Sequence, residues 1–343
     1  MNSTRPRRAV RLAATLLAAA LVGTLAACAS ADSSKPAGQA SEAATGPWEF
    51  TDDRGTKVSL PSKPKRIVAQ VHAAAALWDF GVKPVGVFGP QRKPDGTPDP
   101  QVGSVDLNSV KSVGAEFGEF NLEEYTKLQP DLVVTIMYGP ALWYVPEEAK
   151  PKIEKLAPIV GIRLDGKSAA ESIKKFGELA KSLGADLDAP AVKEAKGEFD
   201  KASADVTAAA KGNAGLKVAM VIGQQEGYWV ADPKWHGDAI LFKELGVDAV
   251  APGKPDPAFG FEMLSWEQAG LYPADLVLED ARTLGLTQAE LSAKFPTWNE
   301  IAAVKANQVG NWRAETPSSY KEYTTVLKEL AEKVKSSRSD VVS

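Results

Sequence analysis

Residues 161–168, GIRLDGKS, have the spacing of a phosphate-binding loop, GxxxxGKS. A working loop of this kind wraps a phosphate with backbone amides between a strand and a helix. Here Ile162 and Leu164 continue an apolar strand, so only residues 165–166 remain to form the turn. Ser168 is well placed to cap the helix that follows. We therefore predict a plain strand-turn-helix connection at this position and keep a nucleotide site only as an alternative.

The two histidines of the chain, His72 and His236, offer little support for metal or hydrolytic chemistry. Proteins that bind bare zinc or manganese need three or four His, Asp or Glu ligands. The chain contains no GxSxG element, and neither histidine has a recognisable serine partner. We predict that the protein is not an enzyme and has no directly bound metal. A bare-metal-binding lipoprotein and a surface hydrolase stay open as alternatives.

Short apolar segments alternate with helical patterns along the chain, at residues 67–71, 85–88, 132–137, 159–164, 216–222 and 276–278. This alternation is typical of parallel sheets that are covered on both faces by helices. Ligands of such sheets bind beyond the carboxyl ends of the strands. The polar and aromatic residues at these ends are Gln70, His72, Tyr138, Trp143, Tyr144, Tyr228, Trp229, Arg282, Trp312 and Arg313.

Aromatic rings and arginine guanidinium groups suit a bulky chelate that has an apolar shell and exposed carbonyl oxygens. We therefore expect the ten residues at the strand ends to line a ligand cleft. For Trp229 and Trp312, packing in the core is the alternative role. Trp78, Trp298 and Phe176 are expected to be core residues.

A long helix is predicted between the fourth and fifth apolar segments. Apolar residues recur there at helical spacing from Val192 to Val206, with Pro190 at the start and Gly212 after the end. A helix of about 20 residues is roughly 30 Å long, enough to join two lobes. The predicted fold is α/β, with two lobes built on mostly parallel central sheets and joined by one long rigid helix. The predicted segments are a signal peptide (1–28), a flexible linker (29–46), an N-terminal lobe (47–188), the connecting helix (189–211), a C-terminal lobe (212–336) and a tail (337–343).

Two segments, NLEEYTKLQPDLVV from Asn121 and SWEQAGLYPADLVL from Ser265, form a weak internal repeat. Each places a glutamate, Glu123 or Glu267, eight residues before an aspartate that opens an Asp-Leu-Val strand. Each also has the pattern of a capped helix start. Taken by themselves, the glutamates are explained by a favourable interaction with the positive end of a helix.

The order of these segments resembles the lipid-anchored or periplasmic binding proteins of ABC importers for iron siderophores and cobalamin. The resemblance covers residues 48–334 and includes DDRGTKVSLPSKPKRIVAQ (52–70), the block from Asn121, the connecting helix and PTWNEIAAVKANQV (296–309). It implies an ABC permease and its ATPase as partners, with Glu123 and Glu267 docking on permease arginines. It also implies a ferric siderophore as ligand, with cobalamin or haem as the alternative, and no cofactor.

The segment MYGP, from Met137, is similar to the ferric hydroxamate-binding members of that family, in which the tyrosine that corresponds to Tyr138 touches the siderophore. Those members carry an arginine shortly before the Asn-Leu-Glu block. This chain has GAEFGEF at residues 114–120, without an arginine. The alternatives for a ligand-contacting arginine are Arg163, Arg282 and Arg313. We expect iron to be bound through a chelate of hydroxamate type, because a catecholate complex carries three negative charges.

The N-terminal 28 residues have the pattern of an export signal. Four arginines precede an uncharged run at residues 12–27. Leu25 to Cys28 resembles the lipobox of bacterial lipoproteins, and Cys28 is the only cysteine. We predict a lipid-anchored monomer on the extracellular face of the cytoplasmic membrane, exported by the Sec or the twin-arginine route. Cleavage before Cys28 would lower the net charge from −4 to −8, which argues against a nucleic-acid partner.

Replacement of the cysteine tests the predicted anchor. Cys28→Ser should leave the folded lobes intact but release the protein from the membrane fraction, because lipid on that thiol would be the attachment. Fractionation followed by immunoblotting measures the distribution. Unchanged membrane association of the variant would contradict the anchor.

Overall fold

The computed structural model of the chain describes residues 46–282 and 284–342. The predicted signal peptide, Cys28 and almost all of the predicted linker lie outside the described residues. None of the helices in the described part is both long enough and apolar enough to cross a membrane.

The N-terminal lobe is built on a sheet with the strand order β5-β4-β3-β6-β7, in which β8 also pairs with β6. All of its pairings are parallel except β6 with β7. A separate antiparallel hairpin, β1 with β2, precedes this sheet. The elements in chain order are β1 (Trp48–Thr51), β2 (Lys57–Leu60), β3 (Ile67–Gln70), α1 (Val71–Asp79), β4 (Gly86–Phe88), β5 (Lys111–Ser112), α2 (Leu122–Lys127), β6 (Leu132–Tyr138), β7 (Ala141–Leu142), α3 (Lys150–Leu156), β8 (Ile159–Arg163) and α4 (Ala169–Ser182).

The connecting helix α5 (Pro190–Gly212) has 23 residues and begins with a proline in its first turn. Proline is well suited to this position, since the amide that it lacks would have no partner within the helix. One face of α5 is buried, through residues such as Phe199, Ala202 and Val206.

The C-terminal lobe has a five-stranded sheet with the order β11-β10-β9-β12-β13. Strands β9, β12 and β13 are parallel, whereas β10 is antiparallel to both of its neighbours. The elements are β9 (Val218–Gly223), β10 (Tyr228–Ala231), α6 (Gly237–Glu244), β11 (Phe261–Leu264), β12 (Leu276–Asp280), α7 (Gln288–Lys294), α8 (Pro296–Glu300), α9 (Ala302–Lys305), β13 (Val309–Trp312) and α10 (Tyr320–Ser336).

The predicted α/β fold with a long connecting helix is confirmed. The central strands β3, β6 and β9 are buried on both faces, as expected for sheets covered by helices. The sheet of the C-terminal lobe is mixed, because only four residues separate β9 from β10 and so short a connection allows only an antiparallel hairpin. The segment 161–168 forms the end of β8 and a turn, and Ser168 caps α4 by accepting from the Ala170 amide.

Contacts outside α5 also hold the two lobes together. The Gly166 amide donates to the Trp235 carbonyl at 2.9 Å, and the Ser168 hydroxyl donates to the Glu244 carboxylate at 2.6 Å. At Gly237 the backbones approach so closely that a Cβ would lie 2.8 Å from the Leu164 carbonyl oxygen. Glycine is therefore required at position 237 for the lobes to meet in this way.

Candidate functional site

Residues from both lobes line a cleft with a volume of about 350 Å³. Ten of the twenty-three residues that line it carry aromatic rings, and its polar groups come from several different elements. The aromatic and charged lining residues are His72, Tyr138, Trp143, Trp229, Trp235, His236, Asp238, Phe259, Phe261, Arg282, Trp312, Glu315 and Tyr323. An apolar pocket with a few convergent polar groups is the usual form of a small-molecule site.

The cleft brings together six of the ten residues expected at the strand ends. Tyr138 ends β6, Trp312 ends β13, and Arg282 follows β12 by two residues. His72 lies in the first turn of α1, directly after β3. The remaining two are Trp143, after β7, and Trp229, within β10.

Gln70 and Tyr144 lie near the cleft but are not part of its wall. The Gln70 side chain caps α1 by accepting from the His72 amide at 2.8 Å, and it donates to Gln101. Its polar atoms are therefore used within the lobe, the oxygen by the α1 backbone and the nitrogen by the Gln101 side chain. Tyr144 has a positive φ of 63° and packs against Phe117.

Tyr228 and Arg313 point away from the cleft, so the expectation that they contact the ligand does not fit their positions. Successive residues of a strand face opposite sides of the sheet. Trp229 faces the cleft, and Tyr228 therefore packs on the other side against Trp266 and Trp298. Arg313 follows Trp312, which faces the cleft, and by the same alternation its side chain points away from the cleft. Its guanidinium pairs with Glu329 at 2.7 Å.

Seven of the aromatic and charged cleft residues were not among the expected ligand contacts: Trp235, His236, Asp238, Phe259, Phe261, Glu315 and Tyr323. The strand β11, which begins at Phe261, was not predicted, because its segment FEML is only four residues long and only its last residue is buried. Trp235 and His236 could have been found from their position between β10 and α6. The Tyr138 and Trp235 rings stack across the two lobes, with centroids 5.1 Å apart and planes at 14°. This pair makes the aromatic surface continuous between the lobes.

Arg282 is the cationic side chain of the cleft wall, and its charge is already balanced. Its guanidinium donates twice to Asp280, from Nε to Oδ1 at 3.0 Å and from Nη2 to Oδ2 at 2.9 Å. Its Nη1 lies 3.0 Å from Oε2 of Glu315. Burial acts to lower the pKa of Arg282, but these carboxylates outweigh it and hold the pKa above its usual range. Two carboxylates around one guanidinium leave no net positive charge here for an anionic ligand.

Asp238 and Trp312 form a buried polar pair on the same wall. The Trp312 indole Nε1–H donates to the Asp238 carboxylate. Burial raises the pKa of Asp238. The nearby Trp229 Nε1 is also buried but has no hydrogen-bond partner among the described residues. An unpaired buried donor is costly, so an acceptor brought within hydrogen-bond distance of this N–H would be stabilising.

His72 joins the two lobes next to the cleft. Its ring is almost completely buried, with 1% exposure. Nδ1 lies 3.0 Å from the Glu315 carbonyl, which can only accept, so Nδ1 carries the proton. Nε2 accepts from the Ser318 amide at 3.2 Å. Both ring nitrogens are thus satisfied in the neutral form, and burial lowers the pKa of His72 to about 4.

The described residues contain no cluster of three or more His, Asp or Glu side chains that could hold a metal ion. His236 is the second histidine of the cleft, and its Nε2 donates to the Gly260 carbonyl at 3.1 Å. Its ring packs between Trp235 and Phe261. Burial lowers the pKa of His236 to about 3. Both histidines are explained by packing and backbone hydrogen bonds.

The two segments of the internal repeat adopt related structures on the two lobes. Asn121 caps α2 by accepting from the Glu123 and Glu124 amides. Ser265 and Gln268 form a capping box around a single 3₁₀ turn (Trp266–Gln268) instead of a longer helix. Glu123 and Glu267 are both exposed.

The aspartates of the repeat also have the same role. Asp131 accepts from the Arg66 amide before β3 at 2.9 Å, and Asp275 accepts from the Lys217 amide before β9 at 2.9 Å. Each aspartate therefore anchors the central strand of its own lobe. This shared role supports the internal repeat with an observation that does not depend on the glutamates.

The lowered pKa of His72 predicts a loss of stability in acid. Below pH 6.5 the unfolded chain binds a proton that the buried ring cannot bind until about pH 4. The free energy of unfolding should therefore fall by about 1.4 kcal/mol per pH unit in this range on account of His72. Glu279, whose pKa burial and Asp280 raise to about 8, contributes with the opposite sign from pH 4.5 to 8.

Comparison of the parent with His72→Gln isolates the effect of the histidine, since all other groups titrate in both proteins. Urea denaturation between pH 6.5 and 4.5 should give a smaller pH slope for the variant, by about 1.4 kcal/mol per unit. Equal slopes would show that the ring is protonated in the folded protein.

Comparisons with known proteins agree with this architecture. The chain is 25% identical over 311 residues to the iron(3+)-hydroxamate-binding protein FhuD of Bacillus subtilis (strain 168), covering 87% of this chain and 89% of that protein. The structure of DesE, a ferric-siderophore receptor protein from Streptomyces coelicolor, superposes with a TM-score of 0.80 at 40% identity, covering 85% of this chain and 99% of DesE. The FhuD protein from S. pseudintermedius has the same fold, with a TM-score of 0.59 at 20% identity over 85% of this chain and 99% of that one.

The sequence profile of the periplasmic binding protein family matches residues 68–316, which is more than half of the chain. The match begins in β3 and ends after β13, so it includes parts of both lobes and all of the cleft residues except Ser318 and Tyr323. The chain belongs to the periplasmic binding protein family.

Proposed function

We propose that the protein captures a ferric siderophore in the cleft and delivers it to the permease of an ABC importer. The observation that carries this proposal is an aromatic cleft whose lining guanidinium, Arg282, pairs with two carboxylates and so leaves no excess positive charge. Such a wall favours a chelate that is apolar outside and has little negative charge. The printed names of two relatives, an iron(3+)-hydroxamate-binding protein and a ferric-siderophore receptor, support the same ligand class.

Charge favours a hydroxamate over a catecholate chelate. A ferric trihydroxamate is uncharged at its metal centre, whereas a ferric triscatecholate carries three negative charges. Glu315 and Asp280 around Arg282 would repel the second in a poorly hydrated site, where charges interact strongly.

In this proposal two polar groups of the cleft donate hydrogen bonds to the chelate oxygens. Burial raises the pKa of the Tyr138 hydroxyl well above its usual value, so it stays protonated at neutral pH. Trp229 contributes the unpaired indole N–H. In this proposal the siderophore supplies all of the iron ligands, and the protein contacts only the shell of the chelate. This fits the lack of a metal-ligand cluster in the described part of the chain.

Export, lipid anchoring at Cys28 and docking through Glu123 and Glu267 complete the proposal. An anchored receptor would keep the captured chelate close to the permease. The two glutamates are exposed, occupy equivalent positions in the repeat and belong to different lobes, as a two-point contact with permease arginines requires.

Ligand binding is the direct test of the proposed function. Ferrioxamine B should quench tryptophan emission at micromolar or lower concentration, because the cleft contains four tryptophans. Ferric enterobactin, free zinc, cobalamin and haem serve as comparisons. Tyr138→Ala and Trp229→Ala should each weaken binding by about 1–3 kcal/mol.

The matched variants Tyr138→Phe and Trp229→Phe keep a ring and remove only the donor, so they separate hydrogen bonding from stacking. Trp78→Phe, in a residue outside the cleft wall, is the control for a general change in emission. Tighter binding of cobalamin, haem or free zinc than of any ferric chelate would overturn the proposed function.

Uptake measurements test the docking glutamates. The double variant Glu123→Ala with Glu267→Ala should fold and bind the chelate as the parent does, but should not support uptake of ⁵⁵Fe-labelled chelate. Glu124→Ala is a matched control, because Glu123 and Glu124 both pair with Lys127, at 2.8 and 2.7 Å. Normal uptake by the double variant would show that these glutamates only stabilise their turns.

A further inference from the structure

A tight turn at residues 114–119 presents an exposed aromatic ring beside the cleft. Gly114 has a φ of 144°, and a Cβ there would lie 2.4 Å from the Glu119 carbonyl oxygen, so the turn requires glycine at this position. The Glu119 carboxylate accepts from the Ala115 amide at 2.8 Å and from the Glu116 amide at 3.1 Å. These hydrogen bonds stabilise the turn, and Phe117 lies between its two ends.

Phe117 is 66% exposed although it is a large apolar residue. Its ring packs edge-on against Trp143 and Tyr144, with both centroids 5.2 Å away. Trp143 is itself part of the cleft wall and contacts Tyr138. The Phe117 ring thus extends the aromatic wall outwards by one residue, on the side of the N-terminal lobe.

The C-terminal lobe has exposed apolar residues at the same cleft. Phe259 and Leu284 both line it, yet they are 52% and 56% exposed. We call Phe117, Phe259 and Leu284 the apolar rim of the cleft. Exposed apolar surface beside a groove is one mark of a site that binds a ligand or a partner.

The size of the cleft bears on what the rim contacts. A volume of about 350 Å³ is near the lower end of the roughly 300–1,000 Å³ found for ligand sites. We expect the arms of a large chelate to reach the mouth of such a cleft. Residues 114–119 carry two carboxylates and no cation, which suits aliphatic arms and disfavours an anionic chelate.

We propose that Phe117 is a specificity-determining contact that packs on the aliphatic arms of the bound chelate, with the 114–119 turn holding the ring in place. This inference rests on the proposed function and extends it to a residue that directly favours chelates with long methylene arms. Glu119 is a positioning residue in this arrangement, since it acts through the turn.

Two ferric ligands with the same coordinating groups separate contact with the arms from contact with the metal centre. Ferrioxamine B has connected methylene arms, and ferric tris(acetohydroxamate) has none. For Phe117→Ala in detergent-solubilised full-length protein, the dissociation constant for ferrioxamine B should rise about tenfold, as for loss of one well-packed aromatic contact. The dissociation constant for the acetohydroxamate complex should stay within about twofold of the value for the parent protein. Visible absorption after ultrafiltration measures both without relying on tryptophan emission.

Further variants test the role of the turn and control for non-specific effects of substitution. Leu156→Ala removes a comparably exposed apolar side chain of the same lobe away from the cleft, and it should change neither constant. Glu119→Ala should weaken ferrioxamine B binding, whereas Glu119→Gln, which keeps an acceptor oxygen, should restore most of it. An equal loss for both ligands in Phe117→Ala would overturn the proposal, because the ring would then only support Trp143.

The outcomes also distinguish this inference from the proposed function. If the parent binds ferrioxamine B and Phe117→Ala binds it equally well, the inference fails and the proposed function stands. If such a variant loses only ⁵⁵Fe uptake, the ring belongs to the permease contact and the inference again fails. If the parent binds no ferric chelate, the proposed function fails and the inference fails with it.

Discussion

A hydrogen bond of 3.0 Å from the His72 ring to the Glu315 carbonyl connects the two lobes beside the cleft. The side chain of Glu315 also pairs with Arg282. Glu315 therefore links α1 of one lobe to the end of β12 in the other. Its φ of 56° is unusual for a residue other than glycine and is kept only because the surrounding bonds require it. The hydrogen bond to His72 fixes the spacing of the cleft walls. The carboxylate of the same Glu315 pairs with the guanidinium of Arg282.

The aromatic wall depends on this fixed spacing. Tyr138 and Trp235 can stack across the lobes only while their separation stays close to 5.1 Å. The hydrogen bond from the Gly166 amide to the Trp235 carbonyl ties the backbone of Trp235 to the other lobe, and the close approach at Gly237 leaves no room for an added methyl group. These contacts, together with the long helix α5, favour a small closure of the lobes over a wide hinge motion. If the cleft binds the ligand as proposed, ligand exchange depends mainly on the mouth of the cleft and on its apolar rim.

Neutral histidines and balanced charges give the cleft its chemical character. His72 and His236 are buried and uncharged, and the Asp238 carboxylate is satisfied by Trp312. A site of this kind gains most of its binding free energy from apolar contact, and a few donors orient the ligand. Trp229, with a buried donor that has no partner among the described residues, is the clearest point at which a ligand oxygen would improve the structure.

The sequence by itself determined the α/β class, the long helix α5 and most of the strand positions, because apolar periodicity and turn residues are local signals. The sequence also predicted six of the cleft residues, because the ends of parallel strands meet at one edge of a sheet. Only the tertiary structure decided that Trp229 faces the cleft and Tyr228 the opposite core, because this depends on the register of the β10 hairpin. The pairing of Arg282 with Glu315, and the packing of Phe117 on Trp143, likewise join residues from distant segments, and no local pattern encodes them.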